Sequence, residues 1–336
     1  MGAGASRPAA RARGLIVSFD ALGTLYRLRK PVGEQYLAIA QQCGLNRAKG
    51  IDAKDVEASF RTAFKAVSAR HPNYGRETLA SPEEWWAHVL SSRLYQHFSS
   101  QAAYELYPDV RPFLQRVHEI RQRLEDERSA PDAVLLVGVI TNSDPRVRQV
   151  LESMGLAVGV SRAPERRSMD ERWREASETA RDPEALPIAT SFRYIWSARH
   201  HFDFVSTSYE AEAEKPEPAI FNRAGNLARL NLISRMEQRR HSDGDRDHPF
   251  REAFDFVRDT ISHRRDIETM AWIHVGDDYA KDYVGAHESG IEAFHLVRQG
   301  DGGARRKGAQ TISNLIELVP IVNIMAEQNL FSKGQG

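Results

Sequence analysis

Three acids crowd one short stretch, Gly276-Asp277-Asp278-Tyr279-Ala280-Lys281-Asp282, directly after the apolar run Ala271–Val275. Carboxylates so placed repel one another unless a cation or a lysine compensates, and their hard oxygens suit Mg²⁺. A fourth acid, Asp20, ends the apolar run Leu15–Phe19 and is followed by Ala21-Leu22-Gly23-Thr24, where Gly23 lets the backbone turn tightly against a ligand. Taken alone, an Asp before Gly-Thr is equally a turn or cap residue. Thr141-Asn142-Ser143-Asp144 closes another apolar run, and a hydroxyl, an amide and a helix N-terminus converge there as an anion cradle. Lys215 stands before Pro216 and Pro218 at a helix start, where it could neutralise two facing anions. A plain surface lysine is the alternative, slightly disfavoured by the helix dipole.

These residues need elements that aim them at one place. Five short, β-rich apolar runs read as strands: Leu15–Phe19, Val134–Thr141, Phe202–Thr207, Ala271–Val275 and Ile291–Val297. Separated by helical stretches, they predict parallel strands covered on both faces, an α/β fold. In open sheets of that kind, ligands bind outside the carboxyl ends of the strands, where Asp20, Thr141 and Asp277 stand. Asp144-Pro145 opens one helix, with Val147, Val150, Leu151 and Met154 at helical spacing and Gly155 ending it. Val110, Phe113, Leu114, Val117 and Ile120 make another apolar stripe. From about 31 to 107 no strand is read. Tyr36, Leu37, Ile39 and Ala40 form one helical face, and Val56, Phe60, Phe64 and Val67 another. Ser81-Pro82-Glu83-Glu84 is a capping box, and Trp85 and Trp86 behind it read as core packing rather than ligand stacking.

The chain has 336 residues, room for one domain with insertions. Lys plus Arg and Asp plus Glu each number 46, which gives no case for nucleic acid as a partner. No run approaches the ~20 apolar residues of a transmembrane helix. Residues 1–14 read as a flexible tail. Met1-Gly2-Ala3-Gly4-Ala5-Ser6 fits an N-myristoylation pattern, and Arg7, Arg11 and Arg13 fit a mitochondrial presequence, but motifs this short match by chance. The location read is intracellular, cytoplasm or nucleus. The single cysteine, Cys43, reads as a small core residue. Two charged stretches, about 161–186 and 235–247, read as loop or disorder, and His200, His201 and His241 as solvated surface.

Asp20, then Thr141-Asn142, then Lys215-Pro216, then Gly276-Asp277-Asp278 with Asp282, in that order and each at a strand end, resembles the haloacid dehalogenase superfamily. FDFVSTSYEAEAEKPEPAIF from Phe202 and GDDYAKDYVGA from Gly276 resemble its eukaryotic branch of haloacid dehalogenase-like hydrolase domain-containing proteins. The resemblance implies a Rossmann-like doubly wound parallel sheet, residues 15–30 and 108–330, with an inserted helical cap domain, 31–107. It implies Asp20 as nucleophile, Thr141 and Asn142 holding the transferring group, and Lys215 orienting Asp20 and the phosphate. Mg²⁺ would be bound by Asp20, the Leu22 backbone carbonyl, Asp277 and Asp278, with Asp282 supporting that loop. Two positions depart from the family pattern. Leu22 stands where its phosphatases carry a second Asp as general acid and base, help worth about 10²–10⁴-fold. Ala213 replaces a frequent Gly two residues before the lysine. The expectation is a Mg²⁺-dependent phosphohydrolase for a small phosphorylated substrate, slowed by Leu22. One alternative is a non-catalytic regulatory or binding protein. Another is a 2-haloacid dehalogenase-like enzyme, which Leu22 suits but the paired acids oppose.

Overall fold

The computed structural model describes residues 12–44, 50–126, 133–159, 200–241, 267–299 and 304–331. The tail before residue 12 and the charged stretch 161–186 lie outside them. All five expected strands form: β1 (Ala12–Phe19), β4 (Ala133–Thr141), β5 (Phe204–Thr207), β6 (Ile267–Gly276) and β7 (Glu292–Leu296). A short edge strand, β8 (Thr311–Ile312), completes one six-stranded sheet in the order β5-β4-β1-β6-β7-β8. Every pairing in it is parallel. The chain leaves β1 to build one side through β4 and β5, then returns to build the other through β6, β7 and β8. Asp20 therefore stands at the topological switch point, where such sheets open a crevice.

Continuous apolar strands require cover on both faces, and they have it. Leu15, Val17 and Phe19 pack with α4 (Val110–Asp126) and α7 (Leu318–Phe331), through Phe113, Val117, Leu318 and Val322. Ile16, Leu136 and Ile140 pack on the other side with α6 (Pro218–His241), through Phe221, Ala224 and Leu232. The strand period of two divides β1 between the two cores.

Between β2 (Tyr26–Leu28) and β3 (Tyr104–Leu106), which pair antiparallel, the chain is helical. Its main helices are α1 (Val32–Gln42), α2 (Ala53–Arg70) and α3 (Pro82–Ala87). They enclose a separate aromatic core in which Tyr36, Phe60, Phe64, Trp85 and Trp86 meet at ring-centroid distances of 4.8–5.9 Å. Trp85 is packed as expected, but the Trp86 indole N–H leaves the block to donate to Asp144 at 2.7 Å. The Ser81 box is half formed: Ser81 accepts from Glu84 N–H, whereas the Glu84 carboxylate accepts from Ala80. A complete box instead joins Asp52 and Asp55 at the start of α2.

Two expectations are corrected. Cys43 is exposed at the C-cap of α1, where its Sγ accepts from the exposed Arg93 guanidinium at 3.8 Å. The stretch from Arg235 begins as helix, since α6 runs to His241. The Arg235 guanidinium pairs with the buried Asp203 carboxylate and holds that turn. Among the described residues no helix is long and apolar enough to cross a membrane.

Asp203 also accepts from Arg121 and from Val137 N–H at 2.7 Å, joining α4, α6 and β4. Asp203→Ala should lower unfolding free energy by about 3–5 kcal/mol, because it strips the carboxylate from a buried guanidinium. Urea denaturation measures this, and a loss below about 1 kcal/mol would show that the pair is inessential.

Candidate active site

Asp20 leaves β1 with its N–H donating to Val275 O at 2.9 Å, which locks the strand end beside β6. Lys215, 3% exposed, reaches over the ends of β1, β4 and β6. Its Nζ donates to Asp20 Oδ1 at 2.6 Å, Asp282 Oδ1 at 2.5 Å and Ile140 O at 2.9 Å. Asn142 fixes the backbone behind it: Lys215 N–H donates to Asn142 Oδ1 at 2.7 Å, and Asn142 Nδ2 donates to Lys215 O at 3.0 Å. The Asn142 amide is thus occupied in placing the lysine. Thr141 ends β4 in register with Thr207, and its carbonyl accepts from Ser143 N–H.

The two acids of Gly276-Asp277-Asp278 diverge. Asp277 Oδ1 accepts from the Thr24 hydroxyl at 2.9 Å, and Asp277 N–H donates back to that oxygen at 3.1 Å. Gly23, at φ +93°, passes so close that a Cβ there would lie 2.3 Å from Asp277 Oδ2. Asp278 faces away, capping the following π-helical turn through Ala280 and Lys281 N–H and pairing with the Lys281 ammonium at 3.5 Å. Asp282 turns inward instead. Among the described residues, Asp20, Asp277 and Asp282 each place one oxygen within 4.8 Å of the others. Asp282 is nevertheless occupied, because Oδ2 accepts from Asp278 N–H and Oδ1 from Lys215 and from His274, 3.4 Å away. The Leu22 carbonyl takes no part in the local turn, where Gly23 N–H donates to Tyr26 O and the Leu25 and Tyr26 N–H groups to Ala21 O.

Three carboxylates share one ammonium here, an excess of two negative charges. Burial alone would raise the Asp282 carboxyl, but Lys215 and His274 hold it well below the usual carboxylate range. Burial would lower Lys215, and Asp20 with Asp282 outweigh it and raise it. The excess charge falls on the other two acids. Burial, with Asp282, raises Asp20 despite Lys215, and burial with the Asp20 charge pushes Asp277 up to about 6. Hard oxygens bearing surplus charge fit a small divalent cation. Asp20 and Asp277 are the side chains that would hold it.

Thr24, His274, Ser18 and Trp272 support this arrangement and were not singled out in the sequence. The Trp272 indole N–H donates to Ser18 Oγ at 2.8 Å, and that oxygen lies 2.9 Å from His274 Nδ1. Polar Ser18 and His274 at fully buried strand positions were the signal available for this chain. On the other side of Asp20, Asp144 accepts from Trp86 and from Arg146, whose guanidinium lies 3.9 Å from the Trp86 ring centroid.

No family model matches the chain. An uncharacterized hydrolase of Schizosaccharomyces pombe is 31% identical over 153 residues, 42% of this chain and 60% of the relative, so that match spans less than two thirds of its length. Haloacid dehalogenase-like hydrolase domain-containing protein 3 is 24% identical in Danio rerio (84% of this chain, 85% of the relative) and 24% in Homo sapiens (84% and 81%). Among solved structures, a HAD phosphatase from Thermococcus onnurineus is 17% identical, with TM-score 0.43 over 92% of this chain and 97% of that one.

Because Asp277 titrates higher in the folded chain than in the unfolded one, ionising it opposes folding in metal-free buffer. Asp277→Asn should therefore raise unfolding free energy above pH 6, with the gain fading as pH falls below 6. Asp277 reaches solvent, so the gain should be about 1 kcal/mol or less. Thermal unfolding with chelator at pH 7.5 and 5 checks this, and an equal or larger gain at pH 5 would contradict it.

Proposed function

We propose that this chain, which belongs to the haloacid dehalogenase superfamily, is a Mg²⁺-dependent phosphohydrolase that acts on a small phosphorylated substrate through Asp20. One observation carries the reading: Lys215 bridges Asp20 and Asp282, with Asp277 alongside and surplus negative charge on the pair left over. A 2-haloacid site needs no such surplus, so the dehalogenase reading is set aside. The helical block over 31–107 is read as a cap, since it lies between β1 and α4 in the chain and touches the site through Trp86.

Asp20 is aimed by the strand end and by Lys215, so its carboxylate is pre-oriented for attack on phosphorus. An oxygen–phosphorus bond forms to Asp20 as the bond to the leaving oxygen breaks, and that oxygen departs as an anion. Lys215 offsets charge on the phosphoryl oxygens, and Thr141 at the end of β4 offers a hydroxyl beside them. Mg²⁺ held by Asp20, the Leu22 carbonyl and Asp277 would supply further neutralisation of the phosphoryl group. Water then attacks the aspartyl phosphate, restoring Asp20 and releasing phosphate. Leu22 can neither donate the first proton nor accept the second, so both steps rely on solvent. Aryl or acyl phosphates, which leave as stable anions, should react well ahead of alkyl phosphates.

Leu22 also favours a second reading, a non-catalytic binding protein, because it keeps an apolar, 48% exposed side chain where the superfamily's phosphatases have an acid. Phosphate release from a panel of phosphorylated metabolites and aryl phosphates, with and without Mg²⁺, separates the two. Under the phosphohydrolase reading, Mg²⁺-dependent release should occur and should vanish in Asp20→Asn, since an amide is a poor nucleophile. Turnover retained by pure Asp20→Asn protein would move the chemistry elsewhere. No release from any substrate would leave the binding reading.

The metal site makes a separate prediction. Asp277→Asn should weaken Mg²⁺ binding by about tenfold or more, the loss expected when one charged ligand is removed. Calorimetric titration measures it, and an unchanged affinity would show that Asp277 is not a ligand.

A further inference from the structure

Arg146 lies two residues beyond Asp144 as the first residue of α5 (Arg146–Ser153), the helix that follows β4 at the carboxyl edge of the sheet. Its side chain is 12% exposed. Asp144 is saturated: Oδ1 accepts from Arg146 N–H and Nε, and Oδ2 from Arg146 Nε and Nη2 and from Trp86 Nε1. Arg146 is not saturated, because its Nη1 is buried with no hydrogen-bond partner. The pair therefore has a donor left over and no acceptor. Buried polar groups are almost always satisfied, and one that is not calls for an explanation. Fastening the helical block to the core does not supply it, since Trp86 and the ring stacking of Arg146 would serve that purpose with Nη1 paired to any nearby carbonyl.

The surroundings suit a ligand. Arg146 is walled by the Trp86 and Tyr95 rings, 3.9 and 4.9 Å from the guanidinium carbon. Tyr74 packs on the Trp86 ring at a centroid distance of 6.1 Å, Tyr26 packs on Tyr104 at 5.1 Å, and burial raises all three phenols, on which the charges of Asp144 and Arg146 also act. The backbone beside this seam is strained. Asn73 and Tyr74 hold left-handed conformations, φ 47° and 55°, of the kind that persists at ligand-binding sites. Asn73 donates to Ser208 O at 2.9 Å across the seam.

We propose that the Asp144–Arg146 pair is a specificity subsite which binds a carboxylate on the part of the substrate remote from its phosphoryl group. This rests on the phosphohydrolase reading and adds the substrate class, a phosphorylated carboxylic acid. A cationic edge with spare N–H groups, set among phenol donors, selects an acceptor-only planar anion. A neutral or methyl terminus at that place would leave Nη1 unpaired.

Calorimetry with Mg²⁺ tests it, using phosphonoacetate, phosphonopropionate and phosphonobutyrate, each against the alkyl phosphonate of matching length. For at least one length the carboxylated ligand should bind the wild-type chain about 10–100-fold tighter, the range of a charge-assisted hydrogen bond to a buried donor. That ratio should fall to near one in Arg146→Lys, which keeps the charge beside Asp144 but loses the second nitrogen. It should fall several-fold in Tyr104→Phe, a change that keeps the ring packing. A wild-type ratio near one at every length would overturn the subsite, as would a wild-type ratio retained in both folded variants. Failure of both ligand classes to bind at any length would overturn the phosphohydrolase reading beneath it as well.

Discussion

One buried ammonium holds together the ends of three strands. Lys215 touches Asp20 beyond β1, the carbonyl of Ile140 on β4 and Asp282 beyond β6, and it is almost wholly sealed from water. A lysine can be buried so only if carboxylates compensate it, and two carboxylates can approach so closely only if a cation stands between them. The sheet order makes this geometry available, because β1 lies between β4 and β6. Asn142 then fixes where the lysine backbone runs, and the turn at Gly23 fixes where Asp277 falls. Changes at any of these positions act on the site through the same ammonium.

The site is also unbalanced by design of its neighbours. Asp282 spends its oxygens on Lys215, His274 and the Asp278 N–H, so it serves the lysine and the loop. Asp278 serves its own helical turn. That leaves Asp20 sharing its one cation with Asp282, and Asp277 without an ion pair among the described residues, beside a glycine that admits no side chain. The helical block closes on the same edge through Trp86, Asp144 and Arg146, which couples the aromatic core of that block to the strand ends.

Much of this was legible from the sequence, for a physical reason. Strands covered on both faces must be continuously apolar, and all five such runs became strands of one parallel sheet. Chemistry placed at strand ends in this fold class converges, and Asp20, Lys215 and Asp277 do meet at one place. The division of labour between Asp277, Asp278 and Asp282 was not legible, because a π-helical turn decides which carboxylate faces inward and composition does not encode it. Asn142 read as part of an anion cradle, whereas its amide is used to hold the Lys215 backbone. Trp86 read as core alone, since nothing local announces a hydrogen bond to a residue 58 positions away. The aromatic spacing of 31–107 announced helices but not how they meet the sheet.

The central claim is that Asp20 is a nucleophile in a site built to hold phosphoryl groups yet lacking its acid and base. Intact-protein mass spectrometry after acid quench, with an aryl phosphate and Mg²⁺, measures that most directly. A phosphoryl adduct should accumulate on Asp20 within the first turnover, because water attack lacks its base. In Leu22→Asp the adduct should fall while turnover rises, by up to about the 10²–10⁴-fold that general base help supplies. No adduct on Asp20, together with no gain from Leu22→Asp, would contradict the claim.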